Sequence, residues 1–134
     1  MPTNAVVGLK PGLEASVLLE LATSVLKPSS TIHLVSLVQV GKDDNELARL
    51  DEARSYVDQI AERLTADGYE TTTTVQVSAI GLGAEIVRLA ERKEADLIII
   101  GLGKRSRVQK ALLGGDAQSI LLGAHCPVLS TRLD

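Results

Sequence analysis

The stretch Ala95-Asp96-Leu97-Ile98-Ile99-Ile100-Gly101 decides the fold. Four large aliphatics in succession put apolar side chains on both faces of a strand, which is tolerated only where both faces of a sheet are covered. The strand therefore belongs to a layered α/β arrangement, and it is read as the central one. Thr31 to Val40 repeats the signature, with Ile32, Leu34, Val35, Leu37 and Val38 on both parities, and forms a second interior strand.

Working outward, Asn4 to Leu9 is a short apolar strand ended by Lys10-Pro11-Gly12. Leu13, Val17, Leu18, Leu21, Ala22 and Val25 recur at helical steps up to Pro28. Leu47, Leu50, Ala53, Val57, Ile60, Ala61 and Leu64 mark a long helix with a solvated outer face, terminated by Gly68. Thr71 to Val77 reads as a half-exposed strand near a sheet edge, and Leu82 to Lys93 as a third helix. A last helix opens at Gly114-Gly115-Asp116, with Asp116 as its N-cap, and runs through Leu122. Pro127 to Ser130 is a final strand whose leading proline favours an edge. The order β-α-β-α-β-α-β-α-β predicts an open parallel sheet with helices on both faces, built as one domain over residues 1–134. Ligands of such sheets sit beyond the carboxyl ends of the strands, where the winding direction switches.

Composition narrows the function. Aromatics are 1% of the chain, Tyr56 and Tyr69 alone, so a base-stacking surface for single-stranded nucleic acid has nothing to be built from. A net charge of -3 argues against a duplex-binding stripe. One cysteine, Cys126, and two histidines, His33 and His125, are too few for a disulfide or a metal cluster, and a reducing cytoplasm is expected. No apolar run approaches membrane-spanning length, and the first residues lack the basic segment of a signal peptide. Neither nucleic acid nor a membrane is expected as a partner.

Chemistry is concentrated after the aliphatic strand, where Gly101, Gly103, Lys104, Arg105, Ser106, Arg107 and Lys110 combine glycines with cations. Backbone amides freed by glycine, followed by a helix start, suit phosphate or another anion. A solvated basic loop with turn glycines is the other reading of the same residues. Neither a P-loop string nor a dinucleotide fingerprint is present. Ser106 and Ile86 stand where the third glycine would follow Gly101-x-Gly103 and Gly81-x-Gly83, which leaves the latter pair as loop and helix-entry residues. Cys126 reads as a small buried hydrophobe and His33 as a satisfied sheet histidine. No catalytic dyad emerges, and the chain is not expected to be an enzyme.

The stretch from Ala95 to Gly101, the basic loop, Leu112-Leu-Gly114-Gly-Asp-Ala-Gln-Ser-Ile-Leu-Leu and His125-Cys-Pro-Val-Leu129 resemble the C-terminal half of the universal stress protein family. The resemblance implies a five-stranded parallel sheet of order 3-2-1-4-5 and a homodimer through the last strand, here Val128 and Leu129. Some members bind ATP through Gly-x2-Gly-x9-Gly-Ser/Thr. On this chain Gly101 and Gly114 match, whereas Lys104 stands at the second glycine and Gly115 at the Ser/Thr. Lys10 occupies the place of an aspartate that ATP binders carry after strand one. The implied protein is a non-enzymatic stress-response regulator with weak or absent ATP binding and no required cofactor or metal. The alternative is a nucleotide or phosphate site, for ATP or AMP, built from Lys10, Gly101, Gly103, Lys104, Arg105, Ser106, Arg107, Gly114 and Gly115.

Overall fold

The structure, a computed structural model, describes residues 2–11, 15–41, 45–102 and 115–132. Its elements are β1 (Asn4–Leu9), α1 (Ala15–Val25), β2 (Thr31–Gln39), α2 (Glu46–Ala66), β3 (Glu70–Ser78), α3 (Leu82–Arg92), β4 (Leu97–Leu102), α4 (Gly115–Gly123) and β5 (Val128–Arg132). The strands form one parallel sheet of order β3-β2-β1-β4-β5.

Period-two alternation sorts the aliphatic side chains into two cores. Ala5, Val7, Ile32, Leu34, Leu97 and Ile99 pack under α1 and α2. Val6, Val35, Ile98 and Ile100 pack under α3 and α4. Adjacent residues of β1 and β4 thus serve opposite layers, which is why the aliphatic run tolerates no polar residue. Each fully buried isoleucine contributes about 1.5–3 kcal/mol relative to exposure.

The central strand is β1, not β4 as the sequence suggested. Burial on both faces marks an interior strand without saying which interior strand lies in the middle. β1 carries smaller residues, Ala5, Val6 and Val7, all 0% exposed, and so looks less central in composition than it is in space.

The amino ends of the strands are tied by polar bonds that the apolar pattern does not reveal. Asp96 Oδ2 and Oδ1 accept the Thr3 and Asn4 amides at 3.1 Å each. The Asn4 Nδ2 donates to the Lys93 and Glu94 carbonyls at 3.0 and 3.2 Å, satisfying the end of α3. With its amide thus oriented, Asn4 Oδ1 accepts from His33 Nε2 at 2.7 Å, and His33 Nδ1 meets Thr72 Oγ1 at 2.7 Å. His33 is accordingly a satisfied sheet histidine.

Asp116 does not cap its own helix. It lies inside α4, and its Oδ1 accepts the Gly83 amide at 3.1 Å, so it caps the amino end of α3 instead. The two helices approach so closely that a Cβ on Gly83 would stand 2.6 Å from the Asp116 carbonyl oxygen and 2.9 Å from Ser119 Cβ. Gly83 is a packing glycine at a helix entry, and Gly81, at φ 100°, is a loop residue.

Gly83→Ala must therefore push α4 off α3, at a cost of about 1–3 kcal/mol. Thermal unfolding should show a melting temperature lower by several degrees, and an unchanged value would contradict this packing.

Candidate functional site

The register of the sheet separates two inner strands at one place. β1 and β4 pair only over Ala5↔Leu97, Val6↔Ile98 and Val7↔Ile99. β1 nevertheless stays paired with β2 as far as Leu9↔Ser36, and β4 with β5 as far as Leu102↔Arg132. The two inner strands part after Val7 and Ile99, and their carboxyl ends lean toward different neighbours. This is the winding switch, where a doubly wound sheet takes its ligand.

Gly8 sits at the parting. A Cβ there would come within 3.0 Å of Ile86 Cδ1 and 3.6 Å of Ile100 Cγ2, so α3 packs its Ile86 against bare main chain and closes one side of the gap. One strand over, Ser36 is 1% exposed and its hydroxyl has no partner among the described residues. Neither residue was singled out from sequence. Gly8 is hidden within an ordinary strand, and Ser36 becomes visible only through the pairing that sets it beside Leu9.

Of the expected site residues, Lys10 is exposed just past the end of β1, Gly101 lies half-buried in the diverging part of β4, and Gly115 is exposed at the start of α4. Among the described residues, a Cβ on Gly115 would meet nothing within 4 Å. The expected positions Gly103, Lys104, Arg105, Ser106, Arg107 and Gly114 lie outside the described residues.

The chain's other reactive groups lie elsewhere. His33 and its partners are at the opposite, amino end of the sheet. Burial, reinforced by the positive charge of Lys93, pushes the His33 pKa below its ordinary value. His125 is exposed and pairs with Glu91 Oε1 at 2.7 Å, beside a shallow cavity of about 200 Å³ between α3 and the segment leading into β5. Cys126 lines the same cavity, half-buried rather than wholly buried, and packs against the second core. Burial, with Asp96 nearby, raises its thiol pKa, which suppresses the thiolate. No group of three metal-ligating side chains occurs among the described residues. Among the described residues, the parting of β1 and β4 brings together main chain and the exposed Lys10.

A sequence model of the universal stress protein family matches residues 3–132. A universal stress protein of Methanocaldococcus jannaschii is 47% identical over 48 residues, which cover 36% of this chain and 28% of that protein. The matched stretch is thus less than a third of the relative's length. Among solved structures, the protein MJ0577 superposes with a TM-score of 0.78 at 22% identity, over 98% of this chain and 97% of its own. A universal stress protein from Archaeoglobus fulgidus in complex with dAMP superposes at 0.67 and 22% identity, covering 96% of each chain. At these identities the structures establish a shared fold.

Because the His33 pKa is lowered on folding, the unfolded chain takes up a proton that the folded chain resists. Its contribution is intact above the ordinary value of 6.5 and is lost as the pH falls below it. The melting temperature of the wild type should drop between about pH 7 and pH 5 more steeply than that of His33→Gln. Parallel profiles would contradict this.

Proposed function

The chain belongs to the universal stress protein family, and on that premise we propose that it is a non-catalytic stress-response binding module. In this reading, residues 1–134 form one unit that works in a reducing cytoplasm. Its crevice between the carboxyl ends of β1 and β4 takes a small anion, a nucleoside monophosphate or phosphate, and holds ATP weakly or not at all. The observation that carries this is Lys10, standing exposed at the tip of β1 beside the strand parting. An ammonium there attracts phosphate and leaves no carboxylate for a metal-bound triphosphate. The dAMP complex of the Archaeoglobus protein supports a monophosphate on this fold.

The family resemblance supports the same selectivity: Lys104 and Gly115 stand at the motif positions of ATP-binding members' second glycine and Ser/Thr. Among the described residues nothing stands within 4 Å of a Cβ on Gly115, so a serine there meets none of them.

In this account two copies associate through β5, whose outer edge no other strand covers among the described residues. Val128 and Leu129 are half-buried there, and Leu121 and Leu122 of the neighbouring α4 are 45% and 85% exposed. A partner copy would cover part of this apolar surface.

Calorimetric titration should show AMP or phosphate binding more tightly than Mg-ATP. Replacing Lys104 by Gly together with Gly115 by Ser should raise Mg-ATP affinity at least tenfold, and low-micromolar Mg-ATP binding by the wild type would overturn the reading. Leu129→Lys should shift the β5 dimer toward monomer in light scattering. A wild type that is monomeric at high micromolar concentration would end the dimer reading.

A further inference from the structure

We propose that the outer edge of β3 is a self-pairing surface on which a second copy of this chain docks, β3 against β3, antiparallel about a two-fold axis at Thr74. β3 is the other outermost strand of the sheet. Among the described residues nothing pairs with its outer edge, and the two edges differ in kind. β5 spans five residues, follows Pro127 and ends at Arg132. β3 spans nine, Glu70-Thr-Thr-Thr-Thr-Val-Gln-Val-Ser78, with its one charge at the amino end and neither proline nor glycine. Its register with β2 runs unbroken from Thr31↔Glu70 to Gln39↔Ser78, so no bulge twists it away from a partner. Soluble proteins usually blunt such an edge with lysine, proline or a bulge, and β3 has none of these devices.

The strand is also held ready. Thr71 Oγ1 meets Thr65 Oγ1 at 3.0 Å, Thr73 Oγ1 accepts from Arg54 Nη1 at 3.3 Å, and Thr72 is bonded to His33 at 2.7 Å. Side chains on both faces are fixed before a partner arrives, which lowers the ordering cost of pairing.

The occupant is identified by self-complementarity. A two-fold at Thr74 sets Thr74 opposite Thr74, Thr73 opposite Val75, Thr72 opposite Gln76, Thr71 opposite Val77 and Glu70 opposite Ser78. β-branched residues then face β-branched residues on the α2 side, and no like charges are opposed across the strands. The parity of every residue is preserved, so the helical layers of the two copies join in register. α2 runs antiparallel to β3. With Thr65 beside Thr71, helix and strand rises put the axis near the Asp58 turn of α2. Arg54 of each copy then falls beside Glu62 of the other, which offsets the repulsion between the two Asp58 carboxylates that the axis brings together. One strand pair with this helical flank is a small interface, so the association is weak and concentration-dependent. It is independent of the crevice and of the β5 contact.

The test uses the full chain with Cys126→Ala, which leaves no native thiol. Thr74→Cys in that background should give a covalent dimer on oxidation or with a short bis-maleimide. Thr71→Cys should not, because its partner position is Val77. In sedimentation equilibrium with Leu129→Lys present to silence β5, Thr74→Lys and Thr74→Glu should each raise the dissociation constant of the residual dimer at least tenfold. An equimolar mixture of the two should recover it, which a merely misfolded variant would not do. Cross-linking equal at positions 71 and 74, no cross-linking at 74, or failure of the mixture to recover would each overturn the proposal.

Discussion

The proposed site depends on a contact that stops short. β1 and β4 hold one another through three residue pairs and then separate, each remaining bonded to its outer neighbour. The sheet can afford the break because Val6, Val7, Ile98 and Ile99 bury fully on both sides of the paired stretch. Beyond it, Lys10 after β1 and Gly101 and Leu102 of β4 lie where the two strands no longer pair. Gly8 leaves room there for Ile86 of α3 to pack against the main chain of β1.

At the amino ends the constraint is polar. Asp96, Asn4, His33 and Thr72 link β4, β1, β2 and β3 in one hydrogen-bonded chain, and Asn4 also satisfies the end of α3. A second polar contact, from Asp116 to Gly83, locks α4 onto α3. The first tie lies at the amino ends of the strands, and the second lies beside Gly115, at the starts of α3 and α4.

Much of this was legible in the residues. Leu97 to Ile100 and Thr31 to Val40 announced interior parallel strands, because burial on both faces leaves no room for a polar parity. The helices followed from their apolar spacing, and the sheet order implied by the family resemblance is the order found. What escaped were relations between distant residues. The rank of β1 as central strand depends on pairing, not composition. Asp116 looked like a cap for the helix it opens, since a local cap is the nearest use of an aspartate, yet it serves a helix some thirty residues earlier. Of the residues named from sequence, Lys10 follows β1 and Gly101 lies in the part of β4 that no longer pairs with β1. Ser36 and Gly8 were not among them, because a serine and a glycine inside strands carry no local signal.

The central claim is that an anion binds where β1 and β4 part. The most direct measurement is a two-dimensional amide NMR titration with AMP. The account predicts that the amide resonances of Gly8, Lys10, Gly101 and Gly115 move together and saturate, while those around Glu91 and His125 stay in place. Shifts confined to the Glu91 and His125 cavity, or none at millimolar AMP, would contradict it.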